Sequence, residues 1–150
     1  MKIFSSFLLF LIVVMGVGIG IGMLTSPGDW YRDLQKPFFN PPNWVFGPVW
    51  TVMYLIIAYV GWRVWQHENR AYPRRLWIVQ MGLNFLWSPV FFAAEKPALA
   101  LAVILCLLLT IVAFIRAAWH SDRLSALLFV PYVAWVGFAL ALNAAIVYLN

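Results

Sequence analysis

The side chains best suited to chemistry in this sequence are aromatic and neutral polar residues that recur at helical spacing. Gln80, Asn84, Trp87 and Ser88 occupy positions i, i+4, i+7 and i+8, so they share one face of a helix. Amide and hydroxyl groups on that face can form hydrogen bonds, and an indole can stack on a flat molecule. The pattern is typical either of a non-covalent binding pocket or of polar contacts that hold helices together.

Two other apolar stretches combine aromatic rings with small or polar side chains in the same way. Their members recur at i+3 and i+4 spacing, which places each set on one face. The sets are Tyr132, Trp135, Phe138, Ala139, Leu142 and Asn143 in the last stretch, and Trp50, Tyr54 and Ala58 in the second.

Ionisable side chains are missing from the centres of these stretches. Intramembrane Asp, Glu, Lys, Arg or His residues usually mark proton relays, ion pathways and coupled pumps. Their absence argues against a proton-coupled exporter, an ion channel and catalysis by a carboxylate pair within the bilayer. His67 and His120 lie at the ends of stretches. We interpret them as solvated interfacial residues and expect no metal site, because neither has a second ligand at suitable spacing.

Five apolar stretches must position these side chains. The chain is 65% apolar and 10% charged, whereas a soluble domain has roughly 25% charged residues. A helix needs roughly 20 apolar residues to cross the hydrocarbon core, and each stretch meets that length. The sequence predicts an all-α integral membrane protein, a single domain formed by a bundle of five transmembrane helices. The predicted spans are about 3-24, 44-66, 74-93, 98-119 and 124-148.

The basic residues predict an orientation rather than a nucleic-acid partner. Although the net charge is +5, the ten Lys and Arg residues lie at helix ends and in connections and form no recognition face. The N-terminal side carries Lys2, Arg63, Arg70, Arg74, Arg75, Arg116 and Arg123, and the other side carries Arg32, Lys36 and Lys96. Because short cytoplasmic loops carry the basic excess, we expect a cytoplasmic N-terminus and an outer C-terminus.

The longest connection, residues 25–43, is rich in proline and aromatic residues. Prolines fix φ and remove hydrogen-bond donors, so we expect a stiff strap, with Asp29 capping a short helical turn through Leu34. Two interpretations remain open: a lid lying on the bundle, or aromatic residues at the membrane interface. Five tryptophans near helix ends are interpreted as interfacial anchors, namely Trp44, Trp62, Trp65, Trp77 and Trp119.

Glycines and prolines indicate how the helices pack and bend. Two overlapping small-xxx-small spacings in the first helix favour close packing, either within the chain or across a dimer face. They consist of Gly16, Gly18, Gly20 and Gly22. Prolines inside helices remove a donor and free a carbonyl about one turn earlier. We expect Pro48, Pro89 and Pro131 to interrupt the second, third and fifth helices in this way.

Several polar and aromatic side chains fall at one depth beneath the strap. At about 1.5 Å per residue, Trp50 and Trp87 lie about 9 Å inside the outer ends of their helices. Asn84 and Asn143 fall in the same half. This arrangement is typical of an apolar pocket with a few convergent polar groups. The alternative is that these residues only join the helices, because Asn forms hydrogen bonds between helices and Trp fills volume in any bundle.

Motifs across most of the chain resemble the tryptophan-rich sensory protein/translocator protein family, also called the TspO/MBR or peripheral-type benzodiazepine receptor family. They cover the first connection and helices two, three and five in order. They are Trp30-Tyr31, Lys36-Pro37-Phe38, Asn40-Pro41-Pro42, Val45 to Trp50 with Tyr54, Leu83 to Phe92, and Pro131-Tyr132 with Trp135, Phe138-Ala139 and Leu142-Asn143.

The resemblance implies a five-helix bundle, commonly dimeric, that binds porphyrins such as protoporphyrin IX, haem, sterols and synthetic isoquinoline or benzodiazepine ligands beneath the first connection. No cofactor is required, and porphyrin is the expected ligand. At the matching positions, the implied ligand-binding residues are Tyr31, Pro41, Trp50, Tyr54, Asn84, Trp87, Ser88, Trp135, Phe138, Ala139 and Asn143.

Two observations limit the range of candidate ligands. In animal members a Leu/Val, Tyr, Lys/Arg pattern follows the fifth helix; here Leu142 and Tyr148 are present but the basic residue is not, which argues against sterol binding there. No histidine lies at pocket depth, so axial haem ligation is not expected and a metal-free porphyrin is the easier ligand.

Three functions are consistent with this pattern. The first is a membrane receptor or sensor of porphyrins that regulates tetrapyrrole or stress responses through ordering of the strap. The second is a transporter of porphyrins or lipids, for which the sequence supplies proline kinks but no energy coupling. The third is a light-dependent porphyrin-degrading enzyme in which Trp87 and Trp135 take part in photo-oxidation.

Overall fold

The computed structural model describes residues 2–66 and 70–150, and side chains from residue 6 onward within them. The helices are α1 (Lys2–Leu24), α2 (Asp29–Asp33), α3 (Phe46–Trp65), α4 (Ala71–Ser88, continued by a π-helical turn at Pro89–Ala93), α5 (Pro97–Ala118) and α6 (Arg123–Leu149), with a 3-10 turn at Asn43–Val45. Five of them, α1, α3, α4, α5 and α6, are long and apolar enough to cross a membrane. The predicted all-α integral membrane bundle is confirmed. His67 lies outside the described residues, and His120 is exposed in the turn after α5.

The five long helices form a bundle in which α3 contacts α1, α4 and α6, and α5 packs between α4 and α6. Ile57 of α3, Phe114 of α5 and Phe129 of α6 are fully buried in the core. Because lipid is as apolar as these side chains, close packing rather than exclusion from water holds them together.

Helix α1 lies at the edge of the bundle and approaches α3 most closely at one glycine. A Cβ at Gly18 would lie 2.6 Å from the Tyr54 ring, whereas a Cβ at Gly16, Gly20 or Gly22 would meet nothing within 4 Å. Gly18 therefore supports packing within the chain. The dimer face stays a prediction.

The three prolines do not act alike. Pro48 lies in the first turn of α3, where backbone N–H groups have no partner within the helix, so the predicted interruption was wrong. Pro89 starts the π-helical turn, which closes with a 2.9 Å hydrogen bond from the Ala94 N–H to the Pro89 carbonyl. Helix α6 continues through Pro131 without a break.

The strap, residues 25–43, is docked on the bundle. Tyr31 is only 7% exposed, and its ring contacts those of Phe91 and Phe92 in the π-helical turn. The Asn150 side chain accepts from the Gln35 N–H and donates to the Gln35 carbonyl, both at 3.0 Å. These contacts support the lid interpretation.

The capping predicted for the helical turn in the strap was wrong in detail. Gly28 occupies the N-cap position of α2 without a side-chain cap, and Asp29 lies inside the first turn. There the Asp29 carboxylate pairs with Arg32 one turn later, since i and i+3 side chains are neighbours on a helix.

One of the five tryptophans interpreted as interfacial anchors is instead a core residue. Trp77 is 8% exposed, and its Nε1 donates a 3.0 Å hydrogen bond to the Ile57 carbonyl of α3. Its ring lies over Gly61, where a Cβ would come within 2.4 Å of the indole. The Trp62 Nε1 donates to Ser6 Oγ at 3.1 Å and so joins α3 to α1.

At the end of the bundle opposite the strap, Asp122 connects three helices. Its side chain, 2% exposed, accepts hydrogen bonds from Arg63 Nη2 at 2.8 Å, Arg70 Nη1 at 2.7 Å and Ser125 Oγ at 2.6 Å. It also caps α6 by accepting from the Ser125 N–H. Burial alone would raise the pKa of this carboxyl, but the hydrogen bonds from Arg63 and Ser125 outweigh burial and lower the pKa below its usual value.

Candidate functional site

A cavity of about 530 Å³ lies beneath the strap, between α1, α3, α4 and α6. Small-molecule sites typically measure roughly 300–1,000 Å³ and have mostly apolar linings with a few polar groups. The cavity matches that description, because aromatic and aliphatic side chains from four helices surround a small number of amides and hydroxyls.

Most of the side chains predicted to bind a ligand line this cavity. The exceptions are Pro41, Trp135 and Phe138, which are not among its lining residues; in the strap, Asn40 takes the place expected for Pro41. The lining residues that were predicted are Tyr31, Trp50, Tyr54, Asn84, Trp87, Ser88, Ala139 and Asn143.

Two aromatic residues of α6 predicted for the cavity wall do not line it. The lining residues of α6 are Ala139, Leu142, Asn143 and Ile146, all in the last three turns of the helix. Trp135 lies one turn earlier, farther from the strap end of the helix. Helical spacing in the sequence did not show where along α6 the cavity ends.

Trp135 instead belongs to an aromatic group beside the cavity. Its ring lies 5.9 Å from that of Phe46 and 5.5 Å from that of Phe138, and Phe138 in turn contacts Phe39 of the strap at 6.3 Å. The Trp135 Nε1 is buried and has no hydrogen-bond partner within the described part of the chain. These rings support the strap from below.

The indole of Trp87 is fixed in the cavity wall by α6. Its Nε1 donates a 3.1 Å hydrogen bond to Asn143 Oδ1, and Asn143 Nδ2 donates at 2.8 Å to the Pro97 carbonyl at the start of α5. The Trp87 ring stacks on Phe91, with centroids 5.3 Å apart and planes at 29°. One amide in the cavity wall therefore joins α4, α5 and α6.

A chain of hydrogen bonds runs from the cavity into the core. The Tyr54 hydroxyl donates to Asn84 Oδ1 at 3.4 Å, Asn84 Nδ2 donates to the Tyr132 hydroxyl at 2.7 Å, and that hydroxyl donates to Gln80 Oε1 at 2.9 Å. Gln80 Nε2, at the inner end, has no partner among the residues described. Gln80 and Tyr132 thus orient Asn84 without lining the cavity.

Some hydrogen-bonding capacity remains for a ligand. Asn84 and Asn143 each keep one N–H and one oxygen lone pair, since an amide has two donors and two acceptor sites. Trp50 lies tilted against Tyr54 at 5.5 Å, and its Nε1 donates to no residue that the structure describes. Polar groups of the ligand would therefore meet α3, α4 and α6.

At the rim, Ser88 ties α4 to the end of α1. The Ser88 and Thr25 hydroxyls lie 2.6 Å apart, and Thr25 donates its proton to the Ile21 carbonyl at 2.8 Å. Ser88 is therefore the donor in this pair, and its hydroxyl is engaged by protein. Thr25 lines the cavity but was not predicted.

Sequence reasoning missed lining residues from α1, the strap, the start of α3 and the π-helical turn. Gly18 and Gly22 of α1 line the cavity, although their spacing indicated only helix packing. Asn40 also lines it, and Asn40 Oδ1 is buried without a partner among the described residues. Burial raises the pKa of the neighbouring Tyr31 phenol, which a hydrogen bond with Asn40 only partly opposes. The phenol is therefore neutral at neutral pH.

Comparison with known proteins places the chain in a family. Residues 9–149 match the TspO/MBR family. The chain is 38% identical over 144 residues to the Tryptophan-rich protein TspO of Archaeoglobus fulgidus, covering 93% of this chain and 94% of the relative. It is 38% identical over 144 residues to the Tryptophan-rich sensory protein of Cereibacter sphaeroides, covering 96% and 90%. It is 38% identical over 136 residues to the Translocator protein of Homo sapiens, covering 86% and 80%. These matches confirm the resemblance carried by the motifs: the chain belongs to the TspO/MBR family.

Proposed function

We propose that this chain is a membrane receptor that binds protoporphyrin IX and similar flat, hydrophobic ligands in the cavity beneath the strap. The observation that carries the proposal is the lining of the cavity, where the rings of Trp50, Tyr54, Trp87 and Phe91 surround a space of about 530 Å³. A porphyrin presents the matching chemistry, a large apolar plane with a few polar groups.

Ring stacking and close packing would supply the affinity. An aromatic pair contributes about 0.5–1.5 kcal/mol beyond the area that it buries, and the cavity offers several rings. The fixed orientation of Trp87 lowers the entropic cost of binding, because its indole is already held by Asn143 at 3.1 Å. Asn84, oriented by Tyr132, supplies a polar contact that sets the position of the ligand in the site.

The strap is the part of the site best placed to report occupancy. Tyr31 and Asn40 line the cavity from above, and Tyr31 also contacts Phe91 and Phe92. A bound ligand would change these contacts and so the position of the strap. The name of one relative, a sensory protein, supports a role in sensing, which we extend to tetrapyrrole or stress responses.

Metal-free porphyrin is the better candidate than haem. No histidine is found among the described residues that line the cavity, so haem iron would lack the axial ligand that globins and peroxidases provide. With the basic excess at the opposite end of the bundle, we expect the cavity to lie in the outer half of the membrane.

Titration of the full-length protein in detergent tests the proposal. Protoporphyrin IX is added in the dark while tryptophan fluorescence and porphyrin absorbance are followed, for wild type and for Trp50→Ala and Asn84→Ala. Trp44→Ala is the matched control, because Trp44 is 74% exposed and lies outside the cavity lining. We expect saturation near one ligand per chain, weakened by the two cavity variants alone. Unsaturable quenching, or equal affinity in all variants, would contradict the proposal.

The same titration under illumination tests the enzymatic alternative. Trp87 is in the cavity wall and Trp135 is not, so a photo-oxidative role for tryptophan is better supported at Trp87. Porphyrin breakdown that occurs only in light and is lost in Trp87→Phe would favour this function. Net porphyrin flux across liposomes would favour transport.

A further inference from the structure

The walls of the cavity differ in their exposure. Every lining residue of α4, its π-helical turn and α6 is buried or half-buried. The exposed lining residues belong to the end of α1 and the start of α3 with their flanking residues: Ile19, Gly22, Pro27, Asn43, Gly47 and Thr51. The cavity is therefore open along one seam, between α1 and α3.

This seam reaches into the depth of the bilayer. Ile19 lies five residues before the end of α1, and Thr51 lies five residues after the start of α3. At about 1.5 Å per residue, both are about 7.5 Å inside the helix ends. Helix α3 has 20 residues and so a length of about 30 Å, close to the thickness of the hydrocarbon core. The lower part of the opening thus faces lipid tails rather than water.

The chemistry of the rim suits lipid. Gly22 and Gly47 place no side chain in the gap, and a Cβ at either would meet nothing within 4 Å. Ile19 is 51% exposed. The Thr51 hydroxyl donates at 2.9 Å to the Gly47 carbonyl within its own helix, so it needs no water partner.

The middle of the strap closes the cavity from above, and its exposed lining residues, Pro27 and Asn43, lie at its two ends beside the seam. Tyr31 is buried against the π-helical turn, and Gln35 is held by two hydrogen bonds to Asn150. A ligand coming from water through the strap would have to break these contacts. A ligand in the bilayer meets no such barrier at the seam.

We propose that the ligand enters and leaves this cavity laterally from the bilayer, through the seam between α1 and α3, with Gly22 and Gly47 at its edges. The inference rests on the proposed function and deepens it, because it restricts ligands to amphipaths that first partition into the membrane. Substitution at the seam should then change the rates of binding more than the affinity.

The test uses the full-length protein in lipid nanodiscs and follows protoporphyrin IX by stopped-flow tryptophan quenching in the dark. Gly22→Phe fills the seam, and Gly16→Phe is the matched control on the same helix, with equally open space but outside the cavity lining. For Gly22→Phe we expect association and dissociation both about tenfold slower, because an obstructed path slows entry and exit alike. Weaker binding with an unchanged association rate would instead reflect the loss of a cavity-lining contact and would contradict the lateral route. Gly16→Phe should leave both rates unchanged.

A second measurement compares the same folded protein before and after the seam is blocked by a chemical label. The substitution Gly22→Cys is combined with Cys106→Ser, because the exposed Cys106 would also react with a maleimide. The thiol at position 22 is then alkylated with N-benzylmaleimide. Alkylation at position 22 should slow both association and dissociation, whereas alkylation of Gly16→Cys should change neither rate. Saturable binding with wild-type rates in both obstructed forms would overturn the lateral route and leave the receptor intact. If protoporphyrin IX binding to the wild type does not saturate, both the proposed function and the lateral route are contradicted.

Discussion

The Trp87 indole donates its Nε1–H to Asn143 Oδ1 at 3.1 Å, so a ring in the cavity wall of α4 is held by an amide of α6. The same amide donates to the Pro97 carbonyl at 2.8 Å, which brings in the start of α5. The shape of the cavity therefore depends on Asn143 even for a ligand that makes no contact with it.

A double-mutant cycle tests this coupling. Trp87→Phe and Asn143→Leu should each weaken protoporphyrin IX binding and lower thermal stability, with a loss of about 1–2 kcal/mol in the free energy of unfolding for each. Because both changes remove the same hydrogen bond, the double variant should cost less than the sum by about 1 kcal/mol. Thermal unfolding in detergent and dark titration measure the two quantities. Additive effects would show that the bond does not hold the wall.

Trp50 and Trp135 should differ in their effect on binding. Trp50→Phe should weaken protoporphyrin IX roughly tenfold, about 1.4 kcal/mol, because it removes ring area and an N–H free to meet the ligand. Trp135→Phe should change the Kd by less than about twofold and leave stability equal or up to about 1 kcal/mol higher, since it removes a buried donor; that Nε1 has no partner among the described residues. Fluorescence and absorbance titrations measure the Kd. If Trp135→Phe weakened binding more than Trp50→Phe, the ligand would lie on the other side of α6.

Gly61 should not tolerate a methyl group. A Cβ at this position would lie 2.4 Å from the Trp77 indole, whose Nε1 is fixed on the Ile57 carbonyl at 3.0 Å. Gly61→Ala should therefore lower the free energy of unfolding by about 1–3 kcal/mol. In Gly82→Ala, the control, the new Cβ meets nothing within 4 Å. Because alanine has a better helix propensity than glycine, this variant should be as stable as wild type or more stable by up to about 1 kcal/mol. Equal melting temperatures for both variants would contradict the close approach of α3 and α4.

Asp122 should make stability depend on pH in acid. The pKa of its carboxyl is lower in the folded protein than its ordinary value of 3.8. Its stabilisation is therefore complete above roughly pH 5 and is lost as the pH falls through the folded pKa. At pH 7, Asp122→Ala should lower the free energy of unfolding by about 3 kcal/mol, because Arg63 and Arg70 lose their buried partner. Melting temperatures of wild type and variant should converge as the pH drops below 3.8.

Asp33→Asn provides the control for this experiment. Asp33 is an exposed residue at the end of α2, in the strap. Its substitution should leave the melting temperature and its pH dependence unchanged. A constant gap between wild type and Asp122→Ala across the acid range would contradict the assignment of the effect to ionisation of Asp122.

The five spans, the strap and much of the site follow from local patterns of residues along the chain. A membrane span is a local property, because about 20 apolar residues are enough to define it wherever its neighbours lie. The polar members of the site were predictable for a related reason. An amide facing lipid is costly, so Asn84 and Asn143 had to point inward, and the residues that share their helix faces, Trp87 and Ala139, followed.

Whether an apolar side chain faces lipid, the core or the cavity depends on how the helices pack together. Lipid and a neighbouring helix are equally apolar, so a pattern of Trp, Phe and Leu does not fix the rotation of a helix about its axis. Trp135 and Phe138, expected in the cavity wall, lie beside the cavity, and Trp77, expected at the interface, is in the core. The contacts of Asp122 with Arg63 and Arg70 join residues more than fifty positions apart. The packing of whole helices brings such distant residues together, and the spacing of residues along the chain does not predict that packing.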